Sequence, residues 1–402
     1  MPPIAPAVRS PSDSAAPPAS ARTGGGVRAL HIPSLDGLRA VSFFIVFVAH
    51  SNFFIPFVAG IPGGFGVTVF FFLSGFLITT LIRIELESTG TVSIRDFYLR
   101  RALRILPPFY LILFLATILT LLRVLPGRLN PAVVLAQSLH FSNYWFIWKG
   151  FDGTPAGTVP YWSLAVEEHF YLVFPFLYLL LNRWLSRGAQ AKALWTLCAI
   201  VCAWRCVLVF VFGVIADRTY MASDTRVDSI LFGCALALAM NPVLDRQVGT
   251  DRWWKYVLFP AGLAVLLFTF TYRAPWFRET IRYSLQGIAL TPLFVAAMTF
   301  PTWLPFRVLN ARPVAFVGVL SYTLYLVHQV IVNVLVYWLP STRPTPRAIL
   351  AFAISFAIAV VVHRMVEVPC ARIRKRLAHA AVARLSAQKD QARDLPSSRI
   401  ES

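Results

Sequence analysis

Runs of about twenty apolar residues recur along this chain, and no other feature limits its possible folds as much. A helix needs about 20 mostly apolar residues to cross the hydrocarbon core of a bilayer. Such runs fall at 38–57, 64–84, 106–125, 161–181, 193–215, 227–240, 254–271, 281–300, 314–339 and 348–366. Only 14% of the 402 residues are charged and 57% are hydrophobic, against about a quarter charged in soluble domains. A water-soluble globule is excluded, and the expected fold is an all-α polytopic membrane bundle of about ten transmembrane helices. The run 227–240 is short for a span and calls for a nearly upright helix. The stretch 131–148 is apolar but interrupted by Gln137, His140 and Asn143, so it reads as re-entrant or interfacial.

Lysine and arginine set the expected orientation. The short loop 58–63 has neither, whereas 85–105 holds Arg95, Arg100, Arg101 and Arg104. This contrast places the N-terminus and the second loop in the cytoplasm, both termini then being cytoplasmic, in a multi-pass inner or plasma membrane protein. Arg273, Arg278 and Arg282 fall on the outer side. The net charge of +19 mostly flanks the spans, which points to anionic lipid and not to nucleic acid. Residues 1–33, rich in Pro, Ala, Ser and Gly, cannot bury a core and are expected to be a disordered tail. A membrane domain over 34–370 and a basic tail over 371–402 complete the expected organisation. Cys198, Cys202 and Cys206 share one helix face. They read as small residues at a helix contact, and no CxxC pair or metal site is expected.

Ionisable groups at membrane depth are costly, so each is a candidate for function. His50 lies eleven residues after Arg39, roughly 16 Å along a helix at 1.5 Å per residue. A neutral imidazole there can take a proton from a hydroxyl, although a structural histidine fits the spacing equally well. Glu167 and Glu168, in Tyr161-Trp162-Ser163-Leu164-Ala165-Val166-Glu167-Glu168-His169, point about 100° apart on a helix, so one of them faces the bundle. Either could orient an imidazole, or the group could be an interfacial anchor. Arg205 and His328 are also mid-span and rank second, being open to structural pairing. Arg101 and Arg104, three apart before Pro107-Pro108, share a helical face and can fork onto phosphate oxygens.

Taken in order, several motifs match a known pattern. They are Leu35-Asp36-Gly37-Leu38-Arg39-Ala40 with His50, Gly66-Val67 through Phe70-Phe71-Phe72-Leu73-Ser74-Gly75-Phe76, and Phe97-Tyr98-Leu99-Arg100-Arg101-Ala102-Leu103-Arg104. Ser142-Asn143-Tyr144-Trp145, Trp162-Ser163-Leu164-Ala165-Val166-Glu167-Glu168, Asp224-Thr225-Arg226-Val227-Asp228, Ser321-Tyr322 through His328, and Glu367-Val368-Pro369 follow. The ordered set, over 34–369, resembles the acyltransferase family 3 membrane proteins.

That resemblance implies O-acyl transfer from cytoplasmic acyl-CoA, acetyl-CoA most commonly, to a polysaccharide, lipopolysaccharide or other glycoside hydroxyl. It implies roles for His50 and Glu167 in catalysis and for Arg39, Ser74, Arg101 and Arg104 in binding acyl-CoA. Trp162, Glu168, Asp228 and His328 fall to the acceptor side or a second rank. Acyl-CoA would be a co-substrate, with no permanently bound cofactor and no metal; membrane lipids and the glycan are the other partners. His169 stands where many members have Gln, which touches acceptor geometry and not the reaction class. The chain resembles the stand-alone form, without an extra hydrolase-like domain. A transporter of a glycan precursor is the alternative, since buried charges among many spans suit it too, but no inverted repeat supports it.

Overall fold

A computed structural model describes residues 32–53, 60–245 and 249–376. The expected disordered N-terminal tail, both termini and the basic tail beyond Arg376 lie outside the described residues. The chain divides into Met1–Ile32 and Pro33–Ser402, and the helices described below belong to the second unit.

Among the described residues every regular element is helical. In order they are α1 (Leu35–Ser51), α2 (Gly63–Thr89), α3 (Ile94–Leu121), α4 (Pro131–Ser138) and α5 (Ser142–Lys149). Next come α6 (Trp162–Trp184), α7 (Arg187–Phe210), α8 (Ala216–Met221) and α9 (Ser223–Ala239). The last are α10 (Asp251–Thr271), α11 (Pro275–Glu279), α12 (Arg282–Thr299), α13 (Leu304–Asn310), α14 (Arg312–Trp338) and α15 (Pro344–Arg376). Among the described residues seven helices are long and apolar enough to cross a bilayer, or eight if α12 and α13, bent by 81°, count as one span. The protein is therefore a multi-pass membrane protein. Of the ten expected spans, the runs at α1 and α9 form helices of 17 residues each, which fall below that length.

Two boundaries differ most from the apolar runs. α3 begins twelve residues before its run, at an N-cap where Ser93 Oγ accepts from the Asp96 N–H at 3.3 Å. It then continues through Pro107 and Pro108, so Arg101 and Arg104 do sit on a helix. Likewise α15 runs on to Arg376, past the expected end at 366.

The interrupted stretch 131–148 is no span. It forms α4 and α5, eight residues each, with a corner where His140 takes φ 54°. Its interrupting polar groups all serve tertiary contacts. Gln137 Nε2 donates to Thr158 O and Oγ1, and Asn143 Nδ2 donates to Met221 O and Ser223 Oγ. His140 stacks on Phe109 at 4.5 Å. Burial, together with neighbouring His169, pushes the His140 imidazole down to about 4.

Helix α2 is the most enclosed span and packs between α1 and α9; α9 is backed by α7 and α12, and α1 by α14, which α15 covers. In lipid, close packing replaces the hydrophobic effect as the force between helices. Two glycines make the α2–α9 approach possible. A Cβ on Gly75 would strike the Ile230 carbonyl oxygen, and one on Gly233 would strike that of Phe72. Cys234 Sγ–H donates to Gly75 O at 3.4 Å in the same seam. Between α1 and α14, Phe43, Phe47, Leu320 and Leu324 form a closed apolar cluster.

The far end of α2 is locked by an ion pair. Arg83, 2% exposed, forks onto Asp245, with Nη2–Oδ1 at 2.8 Å and Nη1–Oδ2 at 3.1 Å; Arg187 Nη1 adds a bond at 3.0 Å. Burial works to raise the Asp245 carboxyl, but hydrogen bonds from Arg83 and the Asn241 N–H outweigh it and hold it below the usual range. A carboxyl depressed in the folded state stabilises above its unfolded value of about 3.9 and loses that contribution as pH falls through the folded value. Asp245→Asn is thus expected to cost about 1.5 kcal/mol at pH 7, because Arg83 then keeps only the exposed Glu87 as a carboxylate partner. The deficit should shrink below about pH 4. Thermal unfolding of the detergent-solubilised protein measures this, and equal melting temperatures at pH 7 would show that the pair does not stabilise the fold.

Candidate active site

A cavity opens among α1, α2, α3, α6 and α14. Arg39, Arg101, Arg104, Ser74, Glu167 and Tyr171 line its polar part, and Val67, Phe70, Leu73, Leu77 and Val319 its apolar walls. Ser163, Tyr322 and Tyr325 also line it. Arg101 stands over the Tyr171 ring at 4.7 Å, and Ser74 Oγ is hydrogen-bonded to the Tyr171 hydroxyl. Arg39 is tethered to Asp36 at 3.5 Å. Arg374, on the last turns of α15, comes within electrostatic range of Arg101 and Arg104. Glu167 lies in the field of Arg101, Arg104 and Arg39. Three guanidinium groups and one carboxylate leave this chamber positive, which suits a polyanion.

His50 does not line this cavity. Its Nδ1 lies 2.9 Å from His328 Nε2, and the two rings stack with centroids 5.2 Å apart and planes 10° apart. His328 is fully buried, and Phe43 meets it edge-on at 5.7 Å. His328 Nδ1 lies 2.8 Å from Tyr325 O and 3.2 Å from Leu324 O. A carbonyl oxygen can only accept, so His328 Nδ1 carries the proton and, in a neutral ring, Nε2 is an acceptor. His50 Nδ1 must then donate to it, which leaves the lone pair of His50 on Nε2. Tyr325 connects the two regions: it lines the cavity, and its ring centroid is 5.7 Å from that of His328. The Tyr325 hydroxyl is held by Ser163 Oγ at 2.7 Å and donates to Pro160 O at 2.9 Å.

Five of the residues singled out in the sequence thus meet in one cavity: Arg39, Ser74, Arg101, Arg104 and Glu167. The choice between the two carboxylates falls to Glu167, since Glu168 is not part of the lining. No hydrogen bond joins Glu167 to His50; the imidazole's partner is His328. Trp162 packs against Phe71 and Tyr220 and away from the cavity. Asp228 is fully buried and bound by Arg205 at 2.7 Å and Ser284 at 2.8 Å. Arg205 also donates to Thr280 O and Ser284 Oγ, so the pair ties α7 to α9 and α12. Tyr171 and Tyr325 were not singled out in the sequence. Spacing could have found both, since Tyr171 is four residues after Glu167 and Tyr325 is four after Ser321 on a shared helix face.

Fold and cavity together define a polytopic helical membrane protein with an arginine-lined mouth and a pair of facing imidazoles. The chain belongs to the acyltransferase 3 family, whose model, described as an acyltransferase domain, matches residues 32–364. It is 30% identical over 363 residues to peptidoglycan O-acetyltransferase OatA of Listeria monocytogenes, covering 84% of this chain and 56% of that protein. A Staphylococcus aureus (strain COL) protein provisionally named an O-acetyltransferase is 28% identical over 84% of this chain and 57% of its own length. One from Bacillus subtilis (strain 168), provisionally named a peptidoglycan O-acetyltransferase, is 30% identical over 75% and 49%. The chain spans about half the length of these relatives. No solved structure matches it.

Proposed function

We propose that the chain is a membrane O-acyltransferase that moves an acyl group, acetyl by its kinship, from acyl-CoA to a glycan hydroxyl. The observation that carries this is the continuity from the arginine mouth, through an apolar-walled cavity, to Tyr325 and the His50–His328 pair. Arg39, Arg101 and Arg104 take the phosphates, with Arg374 behind them. The pantetheine arm lies along Val67, Phe70, Leu73 and Val319, which brings the thioester toward Tyr325. His50 Nε2 removes the acceptor hydroxyl proton as the oxygen attacks the thioester carbonyl. The carbon–sulfur bond breaks, and the CoA thiolate recovers that proton from the imidazolium. His328 holds His50 in the tautomer that frees Nε2. Glu167 serves as counter-charge to the arginines and keeps them apart and aimed into the cavity. Acyl-CoA enters as co-substrate, and the scheme needs no permanently bound cofactor.

The same reading takes α1 and α9 as spans, making ten, with both termini in the cytoplasm and the protein in the inner or plasma membrane. Seventeen helical residues cover about 26 Å, enough for an upright helix at the thin end of bilayer thickness. Purified protein in liposomes, given acetyl-CoA labelled in the acetyl group and a soluble peptidoglycan fragment, should release CoA and label a sugar hydroxyl. Release of CoA without any labelled glycan, or no turnover with any glycan offered, would overturn the reading.

A further inference from the structure

At the end of α2 nearest His50, a second polar group gathers next to Phe71, outside the cavity lining. Gly63 of α2 abuts Ala49 and Gly64 abuts Tyr220, which puts this group and His50 at one level of the bundle. Arg226 is fully buried there. Its Nη2 donates to Thr68 Oγ1 at 3.0 Å, but its Nε and Nη1 have no partner. The guanidinium lies 3.9 Å over the Tyr283 ring and 5.6 Å from the rings of Phe71 and Tyr220.

Arg282, 8% exposed, approaches the same Tyr283 ring at 5.0 Å. Its Nη2 donates to the Tyr283 hydroxyl at 3.1 Å, and its Nε has no partner. The neighbouring carboxylates are committed elsewhere: Asp228 to Arg205 and Ser284, Asp224 to Arg218 and Trp204, Glu279 to Thr219. Asp217, near Tyr220, pairs with no cation among the described residues. Within those same residues no carboxylate lies in ion-pair range of Arg226 or Arg282. Arg205, four bonds satisfied and paired with Asp228, shows how this fold completes an arginine whose role is structural.

Two buried cations with open N–H donors, with the already paired Asp228 acting on Arg226 only at longer range, call for an anion, because a cation over an aromatic ring recovers only part of its lost hydration. Half-buried Tyr220, backed by buried Trp162 with ring centroids 4.7 Å apart, borders the group with a flat apolar face of the kind that sugar rings stack on. We infer that Arg226 and Arg282 form an anion-binding acceptor subsite, framed by Tyr220, Tyr283 and Trp162, that takes the carboxylate of an acidic saccharide. The inference rests on the O-acyltransferase reading for the identity of that saccharide as acceptor, and on the side chains alone for anion binding.

The test uses two probes differing in one charge: an oligosaccharide with a free uronic acid, and its methyl ester. Thermal stabilisation of the purified full-length protein is measured first, since it requires no turnover. The acid should stabilise and the ester should not, and both Arg226→Gln and Arg282→Gln should abolish the difference. Arg282→Gln, at a position 8% exposed, is the control for misfolding at fully buried Arg226, and Arg226→Lys should retain part of the effect. In liposomes, the ratio of kcat/KM between acid and ester should fall about ten-fold in either Gln variant. Equal stabilisation by acid and ester, or a preference that survives both substitutions, would overturn the subsite. Stabilisation by phosphatidylglycerol vesicles in place of the saccharide would reassign the cations to a lipid headgroup and overturn the saccharide part. Failure of transfer with intact acid binding would instead count against the O-acyltransferase reading.

Discussion

His50→Ala should lower acyl transfer by about a thousand-fold or more, the upper part of what a positioned general base contributes. Expression and melting temperature should stay close to those of the unaltered protein, because the ring makes one hydrogen bond and sits at the end of α1. His328→Leu should cost less, about a hundred-fold, and by a different route. Both nitrogens of His328 are engaged, Nδ1 by backbone carbonyls and Nε2 by His50, so it has no lone pair to offer a substrate. Its removal frees His50 to adopt the other tautomer, as loss of an orienting partner does elsewhere. His328→Gln, whose side-chain carbonyl oxygen can still accept from His50 Nδ1, should recover part of the loss. Steady-state transfer in liposomes with all three variants measures the order. If His328→Leu proves the more damaging and His50→Ala stays active, the assignment of base and positioning residue is wrong.

Arg101→Ala combined with Arg104→Ala should remove measurable acyl-CoA binding. Each charge-assisted contact to phosphate contributes about 1.5–3 kcal/mol, so the pair together accounts for roughly a hundred-fold or more in affinity. Glu167→Gln should move affinity in the opposite direction at first, since it removes the one carboxylate of the cavity lining. Equilibrium binding of labelled acetyl-CoA to protein in detergent checks both. Unchanged affinity in the double variant would place the nucleotide elsewhere and detach the cavity from the donor. Salt should weaken wild-type binding, because the mouth opens to solvent.

Much of the cavity was legible from residue order. Arg101, Arg104 and Glu167 stand out because each breaks an apolar run or flanks one, and such groups are expensive in lipid unless they serve a site, whereas Arg39 and Ser74 were marked by the motifs of the family resemblance. Helical spacing then brought Arg101 and Arg104 onto one face. The partner of His50 was not legible, because 278 residues separate it from His328 and only the packing of α1 against α14 closes that gap. The same limit applies to Asp228. Its position in a motif marked it as important, but its pairing with Arg205 on α7 depends on which helices are neighbours.

The lengths of α3 and α15 show a smaller limit. Hydropathy marks where a helix meets lipid, whereas the backbone stays helical until a cap or a break stops it: α3 starts at the Ser93 cap, and α15 is still helical at Arg376. The paired glycines 75 and 233 are visible in the sequence as small residues. Their meaning, two backbones in contact, appears only once α2 lies against α9.

By itself the sequence determined that this is a helical membrane protein, where its apolar runs lie, and which few polar groups must find company inside. Those properties follow from local free energies of transfer, which depend on composition and spacing along one chain. The tertiary structure alone decided which groups keep company: His50 with His328, Asp228 with Arg205, Glu167 with the arginine mouth, and Arg226 with Tyr283 and no carboxylate. Partnership is a property of helices brought side by side, and in lipid that choice rests on close packing of small residues and on hydrogen bonds across helices, which no one-dimensional pattern records.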